Sequence, residues 1–279
     1  MCTITSMAND GTQIAPVPAG GEDVTGAGLR RLSGLSGLLL LVQAVVLGII
    51  LALAPARVVL PITLGLPGGR ERIVLFEVDI GAGVIVLAML VAVSRLVVVM
   101  PTVFPHYCSG VFSNRHTARW IEFLFSSSII VFLVAQLNGI SDIGALVLSY
   151  AITSGMTLFS VLQERSVQST SGRMLALWFG AAIGIVPWGV IAFHQVAALV
   201  MGQPPSALAR VITLTMLAFA FAFFVSHWRD QHWRDQRRSD SVPSALAGER
   251  THILLSFAST SVFAWLVAFG VLGVGNVHL

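Results

Sequence analysis

Two charged residues, Glu122 and Arg95, interrupt runs that are otherwise long and apolar enough to cross a membrane. A carboxylate in hydrocarbon must be protonated, paired with a cation or turned into a polar cavity. An arginine there stays charged at any accessible pH and so demands an anion. Counted from the ends of their runs at ~1.5 Å per residue, both lie about 7 Å deep from the same side. Ser126 and Gln136 share the helical stripe of Glu122. Two pairings are open for this carboxylate: a local one with Arg119 at the interface, or an inward one facing a cavity.

A second group of polar residues, Ser256, Ser259, Thr260 and Ser261, falls in the last apolar run. Ser256 and Thr260 are four apart and share a face; such hydroxyls either bond carbonyls of their own helix or line a site. Pro187-Trp188 breaks the fifth run, because proline lacks the N–H and crowds the preceding turn. Gly180 and Gly184 form a GxxxG that permits close helix approach, either internal or between subunits. The histidines are scattered with no HxxxH or HExxH spacing, and the two cysteines are Cys2 and Cys108. Neither a metal site nor a disulfide is expected. No phosphate loop, GxSxG or paired intramembrane carboxylate is present, so no catalytic residue is assigned and an enzyme is not expected.

The elements that position these residues follow from composition. Of 279 residues, 56% are hydrophobic and only 10% charged, against about 25% charged in a soluble domain. A mean hydropathy of +0.86 excludes a soluble enzyme, a disordered chain and a disulfide scaffold. Seven runs of about 20 residues predict membrane-spanning helices at 32–54, 79–100, 118–137, 142–163, 174–196, 207–227 and 252–274. Residues 1–28 read as a disordered tail and 29–279 as one seven-helix domain. RVVLPITL from Arg57 and RIVLFEV from Arg72, joined by Pro67-Gly68-Gly69, predict a small β-hairpin between the first two spans. The WRDQHWRDQRR segment extends the sixth span as a charged, partly solvated turn.

All 16 Lys+Arg residues are arginine, so the chain has no lysine and no side-chain amine for a Schiff base. Eleven arginines flank one side of the spans and four the other, with Arg95 between. The positive-inside rule then places the N-terminus in the cytoplasm and the hairpin outside. Arginines so placed report topology, and no nucleic-acid partner is expected.

Arg119-Trp120-Ile121-Glu122-Phe123 followed by Ser126-Ser127-Ser128 resembles the third helix of heliorhodopsins. Gly139-Ile140-Ser141-Asp142, Met156 and Gln163-Glu164 continue the resemblance through the fourth. Gly180, Gly184, Pro187 and Trp188 are similar to the fifth, Pro204-Pro205 to the start of the sixth, and Gly248-Glu249-Arg250 through Ser261 to Ala264-Trp265 to the seventh. The resemblance covers about Leu32 to Gly273. It implies an all-α rhodopsin-like bundle with a cytoplasmic N-terminus, and all-trans retinal held on a seventh-helix lysine. Here Thr260 stands at the lysine position, so no covalent retinal is expected. The resemblance carries the counterion over as Glu122, and two cavity histidines as Leu40 and Arg95. Arg95 is then expected to take over the counter-charge of Glu122.

Three functions are weighed on this basis. The first is a sensory or regulatory protein of the cell membrane without covalent retinal, acting through a cytosolic or membrane protein partner. The second is a non-covalent binder of retinal, a carotenoid or another apolar ligand. Its candidate pocket is Phe123, Ser126, Met156, Trp188, Ser256 and Trp265, with Thr260. The third, ion transport, is disfavoured because no relay of titratable groups crosses the bilayer. Besides the lipid bilayer, a homodimer is expected by resemblance, with the fourth and fifth spans and Gly180 and Gly184 as its candidate interface.

Overall fold

The structure is a computed structural model that describes residues 26–54, 57–69, 71–113, 115–166, 174–236 and 242–272. The elements run α1 (Gly26–Leu53), β1 (Val59–Gly65), β2 (Arg72–Asp79), α2 (Ile80–Val98), α3 (Phe104–Phe112), α4 (Thr117–Leu137), α5 (Ile143–Ser166), α6 (Leu175–Gly184), α7 (Val186–Val200), α8 (Ala207–Gln236) and α9 (Val242–Leu272). Seven stretches are long and apolar enough to cross a membrane, with α6 and α7 forming one of them. That break sits where Pro187 enters the first turn of α7. Its missing N–H and ring leave the turn before it without a normal helical bond.

The hairpin forms between the first two spans. β1 and β2 pair antiparallel from Val59 opposite Asp79 to Gly65 opposite Arg72, with a register shift at Ile62/Thr63. Gly68 takes φ +81° in the turn, a conformation that favours glycine. Thr63 N–H donates to the Ser141 carbonyl at 2.8 Å, so β1 is tied to the turn between α4 and α5. Asp79 ends β2 and caps α2, accepting from the Ala82 N–H at 3.1 Å.

Several elements differ from the sequence expectation. α1 begins at Gly26, six residues before the expected start, and takes in the last residues assigned to the tail; residues 1–25 lie outside the described residues. α3 lies in the connection between the second and third spans, outside the apolar runs. Its Phe104, Tyr107, Cys108 and Val111 are buried in a cluster with Leu29, Leu246 and Ile253. α9 begins ten residues before the expected His252. The extra turns of α8 and α9 pack together: a Cβ on Gly248 would lie 2.6 Å from Asp230 Oδ2. The extension of α8 beyond His227 is partly solvated, as expected, with Trp228 and Arg229 exposed, while Gln231 on its other face is buried. Hydropathy alone ends a span at the first charges and cannot see that those charges find partners in the fold.

The main core lies toward the hairpin end. Leu40, Leu47, Ile80, Leu87, Val134, Ile212 and Phe263 fill it, nearly all of them completely buried. Asn138, Thr213 and Gln195 add a small polar link there: Asn138 Nδ2 donates to Thr213 Oγ1 at 2.8 Å and Gln195 Nε2 to Asn138 Oδ1 at 2.7 Å.

Candidate functional site

Arg95 and Glu122 meet inside the bundle. Arg95 Nη2 lies 2.5 Å from Glu122 Oε2, and the two residues are only 5% and 3% exposed. Arg95 stands in the last turn of α2, where a cation also complements the helix dipole. Gly37 of α1 passes beside it: a Cβ there would sit 3.0 Å from Arg95 Cβ. The other carboxylate oxygen, Glu122 Oε1, accepts from Ser256 Oγ of α9 at 2.6 Å. His252, one turn before Ser256, brings Nε2 to 3.8 Å from Glu122 Oε2. Three helices thus converge on one carboxylate. The geometry takes the inward pairing rather than the local one, since Arg119 turns away to other anions.

A second polar layer lies beyond this pair on the arginine-rich side. Arg119 Nη1 stands 3.8 Å from Glu249 Oε2 and 3.7 Å from Asp230 Oδ2. Glu249 Oε1 accepts from the Tyr107 hydroxyl at 2.7 Å. His116 lies between two carboxylates, with Nδ1 against Glu164 Oε1 and Nε2 3.7 Å from Glu249 Oε2. Trp120 Nε1 donates to the remaining oxygen of Glu164 at 2.7 Å. Burial first, and then the charge of Glu249, push the Tyr107 phenol well above its ordinary value, so it stays a donor. The layer ties together α3, α4, α5, α8 and α9.

Sequence reasoning missed this layer. His116, Tyr107 and Glu249 lie outside the seven apolar runs, and Asp230 lies in the charged, partly solvated extension of the sixth. The available signal was their density: Arg95, His116, Arg119, Glu122, Glu164, Asp230, Glu249 and His252 gather at one end of the spans. The Leu40 position, matched by resemblance to a cavity histidine, is a buried core leucine. The imidazole near Glu122 comes instead from His252.

Above the ion pair, toward the middle of the bundle, lies a cavity of about 350 Å³. Phe123, Ser126, Met156, Trp188 and Ser256 of the expected pocket all line it, together with Thr153, Met216, Phe223 and His227. Trp265 does not line it. Nine residues at 100° each put Trp265 half a turn round α9 from Ser256, where it packs on Phe269 at 6.0 Å between ring centroids. Thr260 is buried but also not part of the lining; Ser256 and Ser259 are. Thr260 sits about 100° round the helix from Ser259. Trp178, Ile185 and Phe221 line the cavity while more than half exposed, so it opens sideways between α6 and α8.

Gly180 and Gly184 face inward, not toward a second subunit. A Cβ on Gly180 would lie 3.1 Å from Phe159 Cβ, and one on Gly184 would overlap the Met156 side chain, 2.9 Å from Cγ. The pair brings α6 against α5 within the chain and is not the dimer contact expected from sequence. No cluster of three or more metal-ligating side chains occurs among the described residues.

Seven apolar spans, a hairpin between the first two and a buried third-span glutamate facing the seventh define a rhodopsin-like membrane protein. The chain matches the heliorhodopsin family over residues 29–272 and belongs to it. No curated protein matches it.

Proposed function

We propose that this chain is a heliorhodopsin of the cell membrane that has given up covalent retinal and holds an apolar ligand non-covalently. Ligand occupancy, rather than a Schiff base, then sets its state, and its output is sensory or regulatory through a protein partner. No catalytic step belongs to this reading. The cavity carries it. It is lined mainly by apolar side chains and opens sideways between α6 and α8, so an apolar molecule can reach it from the bilayer. About 350 Å³ falls in the range of small-molecule sites, ~300–1,000 Å³. With no lysine in the chain, the family's covalent anchor has no counterpart. Arg95 supplies Glu122 with the cation that the Schiff base provides in the family.

Every buried Arg, Asp or Glu among the described residues lies on the arginine-rich side, which gives no support to ion transport. A homodimer remains part of the proposal, now with β2 as its surface: Ile73, Val74, Leu75 and Phe76 are each about half exposed. Cross-linking in mild detergent should give a dimer that Phe76→Asp abolishes; monomer alone would remove this part.

The test is purification from retinal-supplemented cells. A saturable near-ultraviolet band is expected that acid denaturation does not convert to the red-shifted band of a protonated Schiff base and that organic solvent extracts as intact retinal. Protein without pigment, whose tryptophan fluorescence no added retinoid quenches, would overturn the reading.

A further inference from the structure

The cavity wall is chemically selective in a way its size does not reveal. None of its lining residues is Asp, Glu, Arg or Lys; its polar side-chain groups are hydroxyls, the imidazole of His227 and the indole N–H groups of Trp178 and Trp188. The two intramembrane charges stand just outside the lining and satisfy each other at 2.5 Å. Ser256 alone reaches from the wall to that pair, and its hydrogen is already given to Glu122.

The other hydroxyls are mostly engaged as donors too. Ser127 donates to the Phe123 carbonyl at 2.6 Å, Thr153 to Ser149 at 2.8 Å and Ser259 to Ser256 at 3.2 Å. Ser126 differs. It lines the cavity, is 5% exposed, and its hydroxyl has no hydrogen-bond partner among the described residues. It stands one turn from Glu122 on the same face of α4. A hydroxyl facing an apolar wall without a partner is unfavourable, so this group calls for a partner inside the cavity.

Resting on the ligand reading above, we infer that the cavity selects a neutral apolar molecule ending in one hydroxyl or carbonyl, docked by that end on Ser126. A carboxylate or ammonium end is rejected, because the wall offers no counter-charge and the only nearby ions are already paired. Bringing an ion into such a wall without a partner is strongly unfavourable.

Retinoids test this with the chain held constant and the head group varied. Trp178 and Trp188 line the cavity, so binding is read as saturable quenching of tryptophan fluorescence in lipid nanodiscs. The titrations are run at pH 8, where an ordinary imidazole is neutral. Retinol and retinal should bind at least about tenfold more tightly than retinoic acid or retinylamine. Acid or amine binding within about twofold of retinol would overturn the selectivity while leaving the ligand reading intact. Saturable quenching by none of the four would overturn both. Ser126→Ala should weaken retinol about three- to tenfold and leave the corresponding polyene hydrocarbon unchanged. An equal effect on both, or none on retinol, would remove Ser126 as the anchor.

Discussion

The cavity and the ion network beside it are built from the same helices and share Ser256, yet they follow opposite rules. The network gathers Arg95, Glu122, Arg119, Glu249, His116 and Glu164 in one layer, each facing an opposite charge or an imidazole within 4 Å. The cavity wall admits no such charge. In hydrocarbon a charge is tolerable only beside its complement, so segregating all of them into one layer leaves the adjoining space free to be apolar. In the heliorhodopsin family the cation that answers the counterion belongs to the chromophore. Here it belongs to α2, and the adjoining cavity wall carries no ionic group.

The strongest way to break this division is to strand a charge. Arg95→Leu leaves Glu122 buried with only Ser256 and His252 near it. It should destabilise the protein by about 3–5 kcal/mol, read as a lowered thermal midpoint in detergent. Arg95→Leu with Glu122→Leu should recover much of the loss; a single variant as stable as the parent would show that the pair is not needed.

A covalent anchor sharpens the comparison from the other side. Thr260 lies 15 residues into the apolar part of α9 that starts at Leu246, about 20 Å along the axis. Thr260→Lys should condense with retinal and absorb in the visible. With Arg95 still held by Glu122, the Schiff base should lose its proton about one pH unit or more lower than in Thr260→Lys with Arg95→His. Spectra recorded against pH compare the two. A folded double variant that takes up no retinal would mean that a side chain at position 260 does not reach the cavity.

Gly184→Ala acts on the cavity alone. Its new methyl must push Met156 inward, and retinol affinity should fall about tenfold in the quenching assay, with a stability loss of about 1–3 kcal/mol. Gly180→Ala, where the nearest atom is 3.1 Å away, should do less.

The smallest effect belongs to the rim of the network. Tyr107→Phe removes the donor to Glu249 and should lower stability by about 1–3 kcal/mol. Because the phenol is held above its ordinary value in the fold, the unfolded chain gives up that proton first. Stability should therefore fall as pH rises through about 10, and Tyr107→Phe should flatten that slope.

Much of the architecture is written in local patterns. Runs of about 20 apolar residues mark the spans, Pro67-Gly68-Gly69 the hairpin turn, and Pro187 the break between α6 and α7. The positions of Glu122 and Arg95 within their runs give a common depth because helical rise is constant. Five of the six candidate pocket residues line one cavity for a similar reason: helical periodicity and family resemblance both concern faces of helices. The absence of lysine is a fact of the sequence alone.

What the sequence left open was decided between elements distant in the chain. Whether Glu122 takes Arg119 or Arg95 depends on the approach of α2 to α4, and Gly37 helps set the packing that brings Arg95 there. Whether Gly180 and Gly184 face a neighbouring helix or a second subunit depends on where Met156 and Phe159 stand. The outer turns of α8 and α9 could not be read as buried helix, since Asp230, Glu249 and His252 look like water-facing residues until Arg119, His116 and Tyr107 close around them. Hydropathy and periodicity are properties of one segment. Charge satisfaction in a membrane is a property of pairs, and only the folded chain brings the pairs together.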